Sequence, residues 1–162
     1  LSVDIDEHKL NCFNGKLIKK KVIDVENINN WPLEKKKFNA IIVTNFLNRK
    51  IFPSIIKSIK KGGYLIYETF SEGHQKIGRP TNPKYILKPR ELLRLSNKMQ
   101  LIAYENIYIN IDIFGSAFFM RYHQTHHGTD SPHSIFAKNS ASLKNLASLT
   151  FQDGWLNIFA IA

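Results

Sequence analysis

Two side chains near the middle of the chain carry the chemistry of a polar site. His74 can exchange a proton near neutral pH, and Arg79 can hold an anionic or polar group. Glu68 and Phe70 stand just before them. Further upstream, Asn45 offers amide donors and an acceptor, and Phe46 offers an aromatic face that attracts a cation. Each has an ordinary alternative. His74 and Arg79 can be surface residues, and Phe46 can pack on a following helix. His123, His126, His127 and His133 invite a metal reading, but no carboxylate pattern surrounds them, so no metal site is expected. Cys12 has no feature of a nucleophile and reads as buried structural cysteine.

These residues must be positioned by the stretch 38–70. Residues 40–44 form a short run of apolar and β-branched side chains, as in a strand buried on both faces. Ile51, Ile55, Ile56 and Ile59 then fall on one helical face, which predicts a helix over 51–61 with Pro53 in its first turn. Gly62 and Gly63 end that helix, and 64–67 form a second strand. Strand, helix and strand make a right-handed βαβ unit. Ligands in such sheets bind outside the carboxyl ends of the strands. That rule puts Thr44, Asn45 and Phe46 at the mouth of a site, beside Glu68, Thr69 and Phe70. Residues 71–87 leave the same edge as a long connection, of the length used for lids and binding loops.

The flanks read more briefly. Residues 1–4 end a strand and 21–23 form another. Residues 9–15 form a polar connection with Cys12 and Phe13 packed beneath it, and Asn14-Gly15 is a turn signal. Trp31 covers the core or borders a ligand. Asn48 and Arg49 open the first helix, where an anion is welcome. Residues 88–99 predict a helix with Pro89 at its first position, and 101–104 a strand. Beyond residue 109 the regular pattern stops, although the apolar end of the chain, from Trp155, reads as a terminal strand. The expected division is a partial domain over 1–109 and a divergent tail over 110–162.

The wording around the βαβ unit carries a resemblance. It lies in F-N-A-I-I-V-T-N at 38–45 and K-K-G-G-Y-L-I-Y-E at 60–68, followed by Glu68-Thr69-Phe70 and Gly73. It continues through Gly78-Arg79-Pro80-Thr81-Asn82-Pro83 and Leu87-Lys88-Pro89-Arg90-Glu91-Leu92. Over residues 2–105 the chain resembles class I S-adenosyl-L-methionine (SAM)-dependent methyltransferases, and is similar to small bacterial tellurite-resistance-like ones. The resemblance implies a Rossmann-like α/β fold, SAM as cofactor and a small-molecule methyl acceptor. It places Asp4, with Asp6 as the fallback, on the ribose hydroxyls. A carboxylate suits two O–H donors, although an acid there can also simply face a helix N-terminus. It places Asp24 on the adenine amino group with the Val25 amide beside the ring, the alternative being an acid that caps the next turn. Asn45 meets the methionine end and Phe46 the sulfonium. Glu68, Phe70, His74 and Arg79 face the substrate, and no catalytic base is named. Thr44-Asn45-Phe46-Leu47 does not match the N-P-P-[YF] motif of amino-group methylation of nucleic acid or protein.

The family's glycine-rich turn after its first strand is absent from this chain. The expectation is therefore an N-terminally truncated sheet that lacks its first strand, with an unpaired gap between the strand at Val3 and that at 41–43. Such a chain would be poorly stable and unable to bind SAM.

Composition bounds the rest. The chain has 162 residues, 43% hydrophobic residues and eleven Phe, enough for one globular core. One cysteine excludes an internal disulfide and a cysteine zinc cluster. No signal peptide and no run of apolar residues long enough for a transmembrane helix is present, so a cytoplasmic protein without a membrane partner is expected. The net charge of +10 gathers in Lys19-Lys20-Lys21, Lys35-Lys36-Lys37 and Lys60-Lys61. Those clusters could form a phosphate-attracting face, but lysine far outnumbers arginine and isoleucine and asparagine are abundant, as an AT-rich genome gives, so nucleic acid is a less favoured partner than a small molecule. Two rival readings stand beside methyl transfer: a nicotinamide-dependent oxidoreductase on a similar sheet, and a non-catalytic basic module that binds RNA.

Overall fold

In the computed structural model, residues 1–12, 16–27, 29, 31–76, 78–111, 115–126 and 157–161 are described. Four parallel strands carry the sheet: β1 (Ser2–Asp4), β2 (Lys20–Val22), β3 (Phe38–Thr44) and β4 (Ile59–Phe70). The remaining three are β5 (Met99–Ile111), β6 (Gly115–His126) and β7 (Asn157–Ile161). Their order across the sheet is β2-β1-β7-β3-β4-β6-β5. The helices are short: α1 (Glu7–Asn11), α2 (Phe52–Ser58) and α3 (Glu91–Leu95).

The expected gap is filled. β7 lies between β1 and β3 and runs antiparallel to both, with Val3 opposite Ile158 and Ile158 opposite Val43. The Leu1 ammonium donates to the Ala160 carbonyl at 2.8 Å, and the Ala160 amide returns a bond to Leu1. The expectation that β1 and β2 lack a hydrogen-bonded link to β3 is therefore corrected. The terminal strand read from the apolar end of the chain supplies that link. The reason is the cost of unpaired backbone groups inside a sheet, which selects any apolar segment that can reach the slot.

Three boundaries also change. α2 stops at Ser58, and β4 begins at once with Ile59 opposite Phe38. Gly62 and Gly63 lie inside β4 rather than at a helix end. Ala40 pairs with Tyr64, so β4 bulges between the two pairings, and Gly62 takes the left-handed φ of 78° that the bulge requires. A Cβ on Gly63 would stand 2.7 Å from Ile59 Cγ2 and 2.8 Å from the Asn39 carbonyl oxygen. Gly63→Ala is expected to lower stability by about 1–3 kcal/mol in urea unfolding. The predicted helix over 88–99 shrinks to Glu91–Leu95, with Arg90 at φ 57° before it and Pro89 outside. β5 extends to Ile111 and forms an antiparallel hairpin with β6, which also pairs with β4. The pattern thus continues past residue 109, where the sequence reading saw it stop.

The core lies between the sheet and the helices on one face. Ile41, Val43, Leu65 and Tyr67 project there against Phe52 and Ile55 of α2 and Leu92 of α3, all buried. Alternate residues of a strand share a face, and each such fully buried side chain contributes about 1.5–3 kcal/mol. The Trp31 indole donates to Ser58 Oγ at 3.0 Å and packs against this core, so it is the covering tryptophan. Cys12 is exposed, not buried as expected, because α1 turns it outward. No helix among the described residues is long and apolar enough to cross a membrane. Phe13, Asn14, Gly15, His127, His133 and Trp155 lie outside the described residues.

Candidate functional site

The carboxyl ends of β1, β2, β3 and β4 share one edge of the sheet. Asp4 pairs in register with Val22 on β2, and Thr44 with Glu68 on β4. Val3 and Val43 both face Ile158, so Asp4 and Thr44 stand one residue further along on the same row. Asp4, Thr44 and Glu68 are all buried, unusual company for the end of a sheet.

Asp4 shows no surface at all. Its Oδ1 accepts from the Asp6 amide at 2.8 Å. Desolvation outweighs that bond and the nearby Lys9, and the carboxyl is pushed above its ordinary range. Asp6, the fallback, is engaged elsewhere. It caps α1 by accepting from the His8 and Lys9 amides and pairs with Lys9 at 3.2 Å. Those contacts hold Asp6 below its ordinary range. Asp24 is exposed and accepts from the Glu26 amide at 2.9 Å, the turn-capping alternative. Val25 beside it is buried.

β3 is followed by Asn45, whose φ of 52° turns the chain and whose amide donates to the Glu68 carbonyl at 2.9 Å. The Phe46 ring is in the core, and its carbonyl accepts from the Tyr67 hydroxyl at 2.7 Å. Burial pushes the Tyr67 hydroxyl pKa far up, so it is a permanent donor here.

His74 is not a surface residue. It is buried, stacked on Phe70 with ring centroids 4.2 Å apart, and its Nε2 meets the Arg79 carbonyl at 2.5 Å. A carbonyl only accepts, so Nε2 carries the proton in the neutral ring and Nδ1 is left with a lone pair. Nδ1 and the Thr69 hydroxyl are buried polar atoms without a partner among the described residues. The Arg79 side chain is exposed, and the Arg79–Pro80 bond is cis. The structure thus brings Phe70 and His74 together, with the Arg79 backbone but not its guanidinium.

One arrangement escaped the sequence reading. Arg49 was expected to welcome an anion and instead holds an internal one. Its guanidinium grips Glu91 at 2.6 and 2.9 Å and donates to the carbonyls of Lys84 and Ile86. Glu91 also accepts from the Lys88 amide. Asn48 donates to the Glu26 carbonyl, and Lys84 pairs with Glu26 at 3.6 Å. Together these bonds lace the loops after β2, β3 and β4 into one rim. Arg49→Met is expected to cost about 1–2 kcal/mol, a figure discounted because the pair is partly exposed. Urea unfolding checks it, and proteolysis should open the rim loop first. Glu91 is held below the ordinary carboxylate range, first by its bond to Arg49. Its contribution is therefore present above that range and fades as pH falls through its folded-state pKa.

His123 and His126 lie on β6, opposite Ile66 and Met99 respectively. No group of three metal-ligating side chains occurs among the described residues.

No protein-family model matches the sequence, and no curated protein matches it. Solved structures do. TehB from Haemophilus influenzae aligns with a TM-score of 0.56 at 15% identity, over 77% of this chain and 49% of that one. A SAM-dependent methyltransferase from Methanosarcina mazei aligns with a TM-score of 0.55 at 13% identity, over 76% of this chain and 80% of that one. The N-methyltransferase NodS from Bradyrhizobium japonicum gives 0.52 at 11% identity, over 77% and 72%. The chain spans about half the length of the H. influenzae protein. These likenesses establish the fold: a Rossmann-like α/β sheet of the kind found in SAM-dependent methyltransferases.

Proposed function

We propose that the carboxyl edge of β1–β4 is a SAM site and that the chain belongs to a protein that methylates a small molecule. The observation that carries this reading is Asp4, a fully buried carboxylate ending β1 on the row of Thr44 and Glu68. A carboxylate at the ligand edge of such a sheet can accept both hydroxyls of a ribose. Asp24 and the Val25 amide follow on the next strand's loop and take the adenine edge. Asn45 and Phe46 shape the turn at the methionine end, Phe46 through its buried anchor rather than an open ring face. Glu68, Phe70, His74 and Arg79 border the acceptor, with His74 Nδ1 as a hydrogen-bond acceptor for a polar substrate.

When bound, SAM supplies an activated methyl group with a thioether as leaving group. The residues of the chain need only bind, align and exclude water. One part of the fit is open to a direct test. β7 runs antiparallel in the slot next to β3, so it does not deliver a glycine turn at this edge as a parallel first strand would.

Calorimetric titration of S-adenosylhomocysteine into this chain, and into a form extended upstream through a further strand, tests the reading. Binding by the extended form, weak or absent in the present chain, is expected. Two folded forms that both ignore it, or that prefer a nicotinamide cofactor, would overturn the proposal.

A further inference from the structure

A second concavity lies at the other end of the sheet, where β3 and β4 begin and α2 and α3 finish. It encloses about 550 Å³, within the size range of small-molecule sites. Its floor is aliphatic, made by Pro53, Ile56, Ile59 and Leu95. Five lysines line it: Lys35, Lys36, Lys57, Lys61 and Lys98. Asn97 is the one other polar side chain there, and no acidic or aromatic residue lines it.

The lysines are not consumed by the fold. The carbonyls at the end of α2 are already capped by backbone, the Lys36 amide donating to Lys57 at 2.8 Å and the Lys37 amide to Ser58 at 3.0 Å. None of the five lysines forms an ion pair among the described residues. The left-handed turn at Lys36, φ 52°, carries Lys35 and Lys36 past the end of α2, beside Lys57 on the rim of the groove. Lysine stems add to an apolar wall while their ammonium heads stay at the rim. Five lysines around one groove that no acidic side chain lines give it a cationic rim that attracts an anion.

From this we infer that the groove binds an aliphatic anion, its chain on Ile56, Ile59 and Leu95 and its carboxylate or phosphate head among the lysines. Single-stranded nucleic acid fits poorly, because the lining has no aromatic platform for a base. The site is separate from the proposed SAM edge and does not depend on it.

The probes are decanoate and decyl phosphate below their micellar concentrations, beside decanol and a short oligouridylate, titrated by NMR into the full chain. Decanoate or decyl phosphate is expected to shift amides of α2 and α3, and whichever head group binds tighter identifies the anion. Affinity should weaken as salt rises. The exposed pair Lys57→Glu and Lys61→Glu should weaken it at least about tenfold. The salt dependence in the unaltered chain keeps the test valid even where the variant folds poorly. Absence of shifts in α2 and α3, equal binding of decanol, indifference to salt, or tighter binding of the oligouridylate would each overturn the inference.

Discussion

Deleting Asn157–Ile161 is expected to abolish cooperative folding. β7 is the one strand between the β2-β1 pair and the rest of the sheet. It pairs with five consecutive residues of β3, from Ala40 to Thr44, and with Ser2 and Val3 of β1. Ala160 is buried within the core. Removing the strand strands backbone donors and acceptors of β1 and β3 in an apolar interior. Each such group costs about 1–3 kcal/mol when left unpaired, against a total stability of about 5–15 kcal/mol for an ordinary domain. A handful of orphaned groups therefore suffices. The deletion variant should lose amide dispersion in NMR spectra and its sigmoidal urea transition. An unchanged urea midpoint would show that β7 does not hold the slot.

Asp4→Asn is expected to raise stability at neutral pH and to weaken ligand binding. The folded-state pKa of Asp4 is raised, chiefly by desolvation. A raised acid disfavours the fold wherever the unfolded chain would ionise it. That cost is full above the folded-state pKa, shrinks as pH falls below it and Asp4 takes up a proton, and is gone below the ordinary aspartate range. Asparagine keeps Oδ1 for the Asp6 amide but carries no charge. Its melting temperature should exceed that of the unaltered chain at pH 7, with the gap closing in acid. In a form competent for S-adenosylhomocysteine, affinity should fall about 10- to 100-fold on the proposed assignment of Asp4 to the ribose, which makes charge-assisted bonds that asparagine would lose. A lower melting temperature at pH 7 would mean that the fold itself uses the charge, and the ribose assignment would lose its support. A stabilising change that removes function is a common mark of a ligand site.

Parts of this architecture could be read from the chain and parts could not, for physical reasons. β3 was legible because a strand buried on both faces needs an unbroken apolar run, and residues 40–44 are one. That Asp4 ends β1 was legible because residues 1–4 read as the tail of a strand, whereas its ribose role came only from the family resemblance. The end of α2 was misread because Ile59 satisfies helical spacing and strand pairing alike. Pairing with Phe38, a tertiary contact, decides the matter. Gly62 and Gly63 look the same as a helix stop and as a bulge until the partner strand is known. The clamp of Arg49 on Glu91 spans 42 positions and leaves no local periodicity to detect. The burial of His74 was missed because a histidine in a loop carries no sign of the Phe70 ring that covers it. The slot taken by β7 was the largest omission. The apolar end was read as a strand, but nothing in a linear pattern says that it runs against its neighbours at the middle of the sheet.

That middle position has a consequence for how the chain is made. The Leu1 ammonium and the Ala160 carbonyl, bonded in the finished sheet, are 159 positions apart. β1 and β2 are made well before β7 and lack that partner on the inner side of β1 until it follows. Native contacts of such long range form slowly, and open strand edges attract other chains while they wait. The interval before β7 arrives is thus the period in which this protein depends most on being shielded from its own copies.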